Sequence, residues 1–545
     1  MSTNTCGIGH IDLIGDAEDN FYNMGVRDKN SYRKTMEHLQ LITQSSSKAA
    51  NKIVNSGLSV IALRVINKNP EYSRWLEAYS DGLGISLEDM AGVYLLPEIM
   101  SSIEKWIPGL NLPIFGCSSL FGLDSNSNPI HGRIFDYALV GTYDQFERTV
   151  HYKLKGGPSI WSASSSGIFL PSLTCMNEHG ITLAVHQKAN RFFDWNGSPL
   201  FKIVYNLMRS CENKADVIKY LKKVHSMTSW CLNLSFADSN DIMSVDITGK
   251  KIAKIETELV PGKFSYFNNA PIENSKHHTS CQPFTHHEYC QMRAASMNEK
   301  SAPYQGLPVS AEDVLKMLAL PKAIKAESAK EWNLDTVTAS SVQIATMNAA
   351  DGHALLVPGS APKYLKGEAV SQNGIWSKMS CETINIPVDK VDENYMLGMS
   401  EYSKAMAFND KKNKRFSYHH IQMAEEYLHH YPEKWVAQFF FHVFQYIDTK
   451  DRRDYEILLN KFNTVSKNLP PGLDEQAKLF IFRIETILHG KSKMSASEFK
   501  IPALKGLYEF EKMLKPFMLK LLKKMINPRL DALDVLYTYY KGDFK

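Results

Sequence analysis

Three residues combine types and spacing that could do chemistry: Cys117, Arg133 and Asp136. Between the first and second, Asp124-Ser-Asn-Ser-Asn128 reads as a turn. Its flanks, Cys117–Leu123 and Ile130–Tyr137, read as strands rich in β-branched and aromatic residues. A turn at Asn126-Ser127 makes facing residue numbers sum to about 253, which sets Cys117 opposite Asp136 with Arg133 one pleat further in. Unpaired charge is costly inside a sheet, so an arginine and an aspartate brought back to a thiol ask for a reason. Gly116 suggests one. If the Gly116–Cys117 bond is cut, Cys117 gains an α-amine of pKa about 7.7–8.0 beside a thiol near about 8.5. That amine is a general base placed without any histidine. Asp136 can accept from the ammonium, and Arg133 can favour the thiolate and donate to a substrate carbonyl. The chain can make the cut itself. The thiol attacks the Gly116 carbonyl, an N-to-S shift gives a thioester, and water releases it. Glycine tolerates the backbone geometry such an attack demands.

The rest of the chain must position these groups. At 545 residues it is too long for one ordinary core, and two to four domains are expected. With 44% hydrophobic and 22% charged residues it has a globular composition, and the net charge of 62 − 58 = +4 offers no electrostatic case for nucleic acid. The first 20 residues lack a signal peptide's basic and apolar regions, and no apolar run is long enough to span a membrane. A cytoplasmic location is the default expectation. Eight cysteines without a CxxC pair do not form a disulfide framework.

Residues 17–105 read as helical, with apolar spacing through Tyr32–Ile42 and Ile53–Ile66 and a capping box at Ser86-Leu-Glu-Asp89. Pro108–Pro113 reads as a linker. From 115 onward the period becomes two. Beyond the hairpin, strands are expected at Thr149–Leu154, Gly180–Gln187, Trp230–Ala237, Ile242–Thr248, Lys263–Asn268, Thr336–Thr346 and His353–Val357. Helices are expected near Leu200–Arg209 and Ala215–Val224 and after Ser310. Beyond about 400 the chain turns helical again, at Tyr418–Tyr431, Trp435–Ile447, Ala477–Leu488 and Leu507–Met525. An α+β layered sandwich with helical flanks follows.

The spacing Cys-x15-Arg-x2-Asp, with Gly116 before it, resembles the N-terminal-nucleophile (Ntn) hydrolases of the choloylglycine hydrolase and acid ceramidase type, closest to the autoproteolytic penicillin acyltransferase-like branch. Ile130-His-Gly-Arg-Ile-Phe-Asp136-Tyr is similar to that family's HGRNLDW string, departing at Ile134. Met176–Ala184 is similar to its G(I/L)NExGL segment, and Phe267-Asn268-Asn269 stands where relatives carry Thr-Asn-His or Thr-Asn-Tyr. The resemblance covers roughly residues 10–365. It implies a four-layer αββα sandwich with a helical pro-segment (1–116, autocleaved), a catalytic domain (117–395) and a helical C-terminal domain (396–545). It implies Asn268 as the oxyanion-hole residue beside Cys117, Arg133 and Asp136. Asn269, Arg293, Asn177 and Gln187 are added as substrate or oxyanion contacts. The implied reaction is hydrolysis or acyl transfer on non-peptide linear amides through a thioester. No cofactor or metal is implied, and the partners are a small-molecule N-acyl substrate and the chain's own pro-segment. The alternative is a non-catalytic scaffold that binds through its helical tail.

Two other stretches draw attention. His277-His278-x2-Cys281 and His286-His287-x2-Cys290 have zinc-ligating residue types, but the spacing fits no zinc module and reads as a loop at the substrate mouth. Lys512–Lys524 is basic and amphipathic; the reading preferred here is a helix with a buried apolar face and a lysine-rich solvent side, membrane contact being the lesser one. Pro516 argues against one straight helix. A papain-like protease is excluded by the absence of its tryptophan context and of a distinctive histidine.

Overall fold

The computed structural model describes residues 7–43, 62–102, 116–137, 139–171, 173–188, 190, 192–270, 272, 284–321, 335–389, 391–523, 526 and 528–530. The linker Pro108–Pro113 and the histidines and cysteine at 277, 278 and 281 lie outside these residues, as does most of Ile53–Ile66.

The strands are β1 (Gly9–Gly15), β2 (Gly116–Leu123), β3 (Pro129–Asp136), β4 (Glu147–Leu154), β5 (Ile160–Ser165), β6 (Thr174–Asn177), β7 (Ile181–Gln187), β8 (Ser229–Phe236), β9 (Asp241–Thr248), β10 (Lys251–Glu258), β11 (Ser265–Phe267), β12 (Ser341–Asn348), β13 (His353–Leu356), β14 (Glu368–Asn373) and β15 (Ser380–Asn385). They form two sheets, in the orders β1-β4-β5-β6-β7-β8-β9-β10 and β11-β2-β3-β12-β13-β14-β15. The architecture is mixed α+β. All nine expected strands are present. Six others escaped the sequence reading, for physical reasons. β5 is IWSASS, too rich in serine to show a period. β10, KIAKIETE, is a half-exposed edge strand whose charged residues mask its pairing. β1 pairs parallel with β4 across more than 130 residues, so no local turn announces it, and the segment ahead of Cys117 is not helical throughout.

The two sheets face each other through β2, β3, β7 and β8, every residue of which is buried. Polar bonds thread this interface. His131 Nδ1 meets Thr182 Oγ1 at 2.8 Å, and Trp161 Nε1 donates to Gln372 Oε1 at 2.7 Å. On its other face β3 is covered by the helix Ala311–Ala319, so closely that a Cβ on Gly132 would lie 2.5 Å from Val314 and Leu318. That helix, expected after Ser310, opens on a capping box of Ser310 and Asp313.

The helices Ala17–Thr43, Pro70–Leu83 and Leu87–Tyr94 precede the hairpin; the helix that starts after Ser86 is broken at Leu95 and restarts as Leu96–Ser101 over Pro97. The tail contains Glu393–Asp410, Lys414–Tyr427, Glu433–Asp448, Arg452–Val465, Leu473–His489, Pro502–Lys512 and Pro516–Leu522. One apolar core runs without a break from Phe21 and Leu76 through Val185 and Ile344 to Phe440 and Phe480. No helix among the described residues is long and apolar enough to cross a membrane.

Glu433, buried at the start of its helix, shows what the tail's packing costs. Burial, with Asp335 nearby, raises its carboxyl from 4.5 to about 7. The fold therefore keeps a proton that the unfolded chain releases, and stability falls as pH rises from 4.5 to 7. Glu433→Gln removes this penalty. It should raise the unfolding free energy above pH 7, by at most roughly 3 kcal/mol, and change it little near pH 4.5. Parallel denaturation curves at the two pH values check this; equal gains at both would refute the assignment.

Candidate active site

The hairpin of β2 and β3 closes on a five-residue loop, Asp124–Asn128, with Asp124 Oδ1 accepting from the amides of Asn126 and Asn128 at 2.8 Å. Ser127 takes a positive φ of 63°. This odd loop corrects the expected register by one residue. Cys117 pairs with Phe135, Gly116 with Asp136 and Ser119 with Arg133. Because side chains alternate, the slip has a chemical consequence. Cys117 and Arg133 share the face turned to the other sheet. Asp136 lies on the opposite face, over Gly116.

On the inner face, Arg133 Nη2 donates to Cys117 Sγ at 3.0 Å and to the Val185 carbonyl at 2.6 Å. Arg133 is fully buried, and its Nε and Nη1 have no hydrogen-bond partner among the described residues. Buried donors without partners are rare, and these lie beside a thiol. Burial pushes the Cys117 thiol up, against the pull of Arg133, so in the continuous chain it is held protonated. Cys117 Sγ bonds Arg133 and the Val185 carbonyl, at 3.7 Å, and neither is a base. The nearby histidines serve elsewhere: His186 and His131 both hold Ser119 Oγ, at 2.9 and 3.1 Å. Burial pushes both rings well down, and they stay neutral.

On the outer face, Asp136 Oδ2 accepts from Arg293 at 3.1 Å. Its Oδ1 accepts from Ser341 at 2.5 Å and from Thr338 at 3.1 Å. Neither hydroxyl was legible in Thr336–Ser341, because only the pairing of β12 with β3 brings them to Asp136. Burial opposes the charge on Arg293, yet Cys290, Tyr266 and Asp136 hold its guanidinium above the ordinary range. Arg293 Nη2 also reaches Asn269 Oδ1 at 3.4 Å.

The two asparagines after β11 diverge. Asn269 Oδ1 accepts from the Cys117 backbone nitrogen at 2.7 Å, and its Nδ2 donates to the Gln187 carbonyl at 3.1 Å. Asn268 turns away. Its Nδ2 donates to the Cys290 carbonyl at 2.7 Å, and its Oδ1 accepts from Ala270 at 2.9 Å. The nitrogen of Cys117, expected to rest on Asp136, is therefore held by Asn269. Asn177 is not in this group. It caps the end of the helix Leu200–Ser210 by donating to the Met208 and Cys211 carbonyls. Gln187 does reach the site, at the end of β7.

Cys117, Phe135, Val185 and Gln187 form one wall of a cavity of about 100 Å³. Its other wall is Tyr32, Met36, Leu39, Met90 and Tyr94, from the helices ahead of the hairpin. The cavity is almost wholly apolar, so it can take the hydrocarbon part of a ligand whose polar group lies at Cys117.

Gly116 is required by Asp136. A Cβ there would lie 2.6 Å from Asp136 Oδ2 and 2.8 Å from its Cβ, and Asp136 is pinned by three bonds. Gly116→Ala should therefore destabilise by about 1–3 kcal/mol. An unchanged denaturant midpoint would show that Asp136 moves freely.

No family model and no curated protein matches the chain. Among solved structures, a Caenorhabditis elegans N-acylethanolamine-hydrolyzing acid amidase (NAAA) ortholog is similar, at 10% identity and a TM-score of 0.32, over 50% of this chain and 100% of that one.

Proposed function

We propose that this chain is an autoproteolytic Ntn-type thiol hydrolase acting on linear N-acyl amides, with helices over both faces of the paired sheets as an αββα sandwich. In this reading residues 1–116 are the pro-segment, 117–395 the catalytic domain and 396–545 a helical C-terminal domain. One observation carries it. Cys117 carries a thiol bonded to a buried arginine, facing an apolar cavity, with no side-chain base on its sulfur among the described residues. A thiol pushed up by burial needs a base, and the base that requires no further residue is its own α-amine.

Cleavage begins when Cys117 Sγ adds to the Gly116 carbonyl carbon. The C–N bond breaks, the nitrogen takes the proton, and a thioester links Gly116 to the sulfur. Water then adds to the thioester, releasing the Gly116 carboxylate and the Cys117 thiol. In turnover the free amine accepts the thiol proton as sulfur adds to the substrate's amide carbonyl. It returns the proton to the leaving amine, and the acyl group stays on sulfur. Water resolves the acyl-enzyme in hydrolysis, an amine in transfer. Arg133 Nε and Nη1, without partners among the described residues, can hold the oxyanion. Asn269 orients the Cys117 nitrogen. The pro-segment helices stay in place after the cut, because they form one wall of the acyl cavity and bury Leu76, Met90 and Tyr94 against the core.

The test is intact-mass measurement and N-terminal sequencing of the purified protein, followed by a panel of N-acyl amines and N-acyl amino acids. A chain beginning Cys-Ser-Ser-Leu, with thioester trapping on it, is the expected result. A chain that stays whole at neutral and mildly acidic pH and turns over nothing would sink the reading and leave a non-catalytic scaffold.

The asparagines separate two versions of the site. Asn269→Ala should lower turnover by about 10²-fold or more, since it frees the nucleophile's amine. Asn268→Ala should act mainly on stability, by about 1–3 kcal/mol. Steady-state kinetics beside denaturation check this, and the reverse ranking would return the oxyanion role to Asn268.

A further inference from the structure

The basic stretch at Lys512–Lys524 does not form the helix with a buried apolar face that its pattern suggests. One helix ends at Lys512 and Pro516 starts another after the extended Lys515, so Pro502–Lys512 and Pro516–Leu522 meet at a corner. The apolar side chains around that corner are exposed. Phe510 is 52%, Met513 77%, Phe517 59% and Leu521 54% accessible, with Met518 beside them. Lys505, Lys512, Lys515 and Lys520 are also exposed, and Glu509 is the one exposed acidic residue between 505 and 520.

The corner is not exposed because it is loose. Its inner side is fixed by buried Leu504, Tyr508 and Leu519. Glu511 is fully buried and takes a two-pronged bond from Arg483, Nε at 2.7 Å and Nη2 at 2.5 Å. Tyr508 donates to the Met494 carbonyl at 2.6 Å. A firmly anchored corner presenting several large apolar side chains within a dozen residues is unusual on a water-facing surface.

We propose that this corner is a docking surface for a bilayer carrying anionic headgroups. The match is one of chemistry. Met513 and Phe517 protrude furthest and would enter the boundary between headgroups and acyl chains. The four lysines around them can reach phosphate and carboxylate groups while their methylene stems stay in the apolar layer. A protein partner would be expected to leave a polar rim of balanced sign, whereas the exposed charges from 505 to 520 are four lysines and one glutamate. No helix crosses the bilayer in this arrangement; the protein lies on it, reversibly.

The test uses the full chain in sedimentation with phosphatidylcholine vesicles, with and without phosphatidylserine. Binding is expected with phosphatidylserine and should weaken with salt. The double variant Lys512→Gln/Lys515→Gln should reduce partitioning about 25-fold, at about fivefold for each lysine. Met513→Ser/Phe517→Ser should reduce it at least about tenfold. Both pairs are exposed, so thermal melting should be unchanged, and neither touches the Cys117 site. Failure to bind anionic vesicles, or binding that survives both variants, would overturn the proposal. So would self-association in solution that Met513→Ser/Phe517→Ser abolishes, which would assign the corner to a second copy of the chain.

Discussion

Cys117→Ala is expected to leave the chain whole and to lower turnover of any N-acyl amide by about 10⁴-fold or more, the scale at which loss of a nucleophile leaves only binding and electrostatics. In the proposed reaction both losses have one cause, because the same sulfur attacks Gly116 first and the substrate afterwards. Cys117→Ser separates them. A hydroxyl can take the same route, but Arg133 cannot bring it to its anion as readily as a thiol. The serine chain should therefore cleave slowly and turn over poorly. Time-resolved intact mass gives the first reading and steady-state kinetics the second. Cleavage of Cys117→Ala at the wild-type rate would show that an outside protease makes the cut. The side chain is small and buried, so a melting curve should show only a modest loss of stability.

Arg133→Met is the second large effect. Among the described residues the arginine is the sole cation bonded to the sulfur, it is fully buried, and two of its donors have no hydrogen-bond partner. Methionine fills a similar volume without leaving an unpaired charge, so the fold should survive. Turnover should fall by about 10²–10³-fold through loss of oxyanion stabilisation. Arg133→Lys should not rescue it. A lysine keeps the charge but lacks the planar fork that reaches Sγ and the Val185 carbonyl together. A kcat within about threefold of wild type for Arg133→Met would remove Arg133 from the reaction and move the search for an oxyanion donor to backbone amides.

Much of the site is local in sequence. Gly116, Cys117, Arg133 and Asp136 sit on one hairpin, and hairpin pairing is set by alternation and a short turn. That is why Arg133 and Asp136 are both expected at the Cys117 end from the chain alone, although the expected register sets Asp136, not Arg133, on the thiol's face. The strand–helix succession carried the α+β class for the same reason, through periods of two and 3.6 residues. The limit of local reading lies in the same hairpin. Asp124 can close a four- or a five-residue loop with nearly the same residues, and the choice moves Asp136 to the other face of the sheet. Its side chain bonds make the five-residue loop the one adopted.

What only the tertiary structure decided was carried by long-range contacts. Asn269 rather than Asn268 meets the Cys117 nitrogen because β11 lies beside β2 in a particular register, across about 150 residues. Ser341 and Thr338 reach Asp136 across more than 200 residues, and nothing in Thr-Ala-Ser-Ser marks them as a carboxylate's partners. Asn177, placed beside a motif-like string, turned out to close a helix end. The basic stretch of the tail had the pattern of a buried face and acquired the opposite role. Pattern reports which residues share a side, but the neighbours that cover that side, or leave it bare, exist only in the assembled fold.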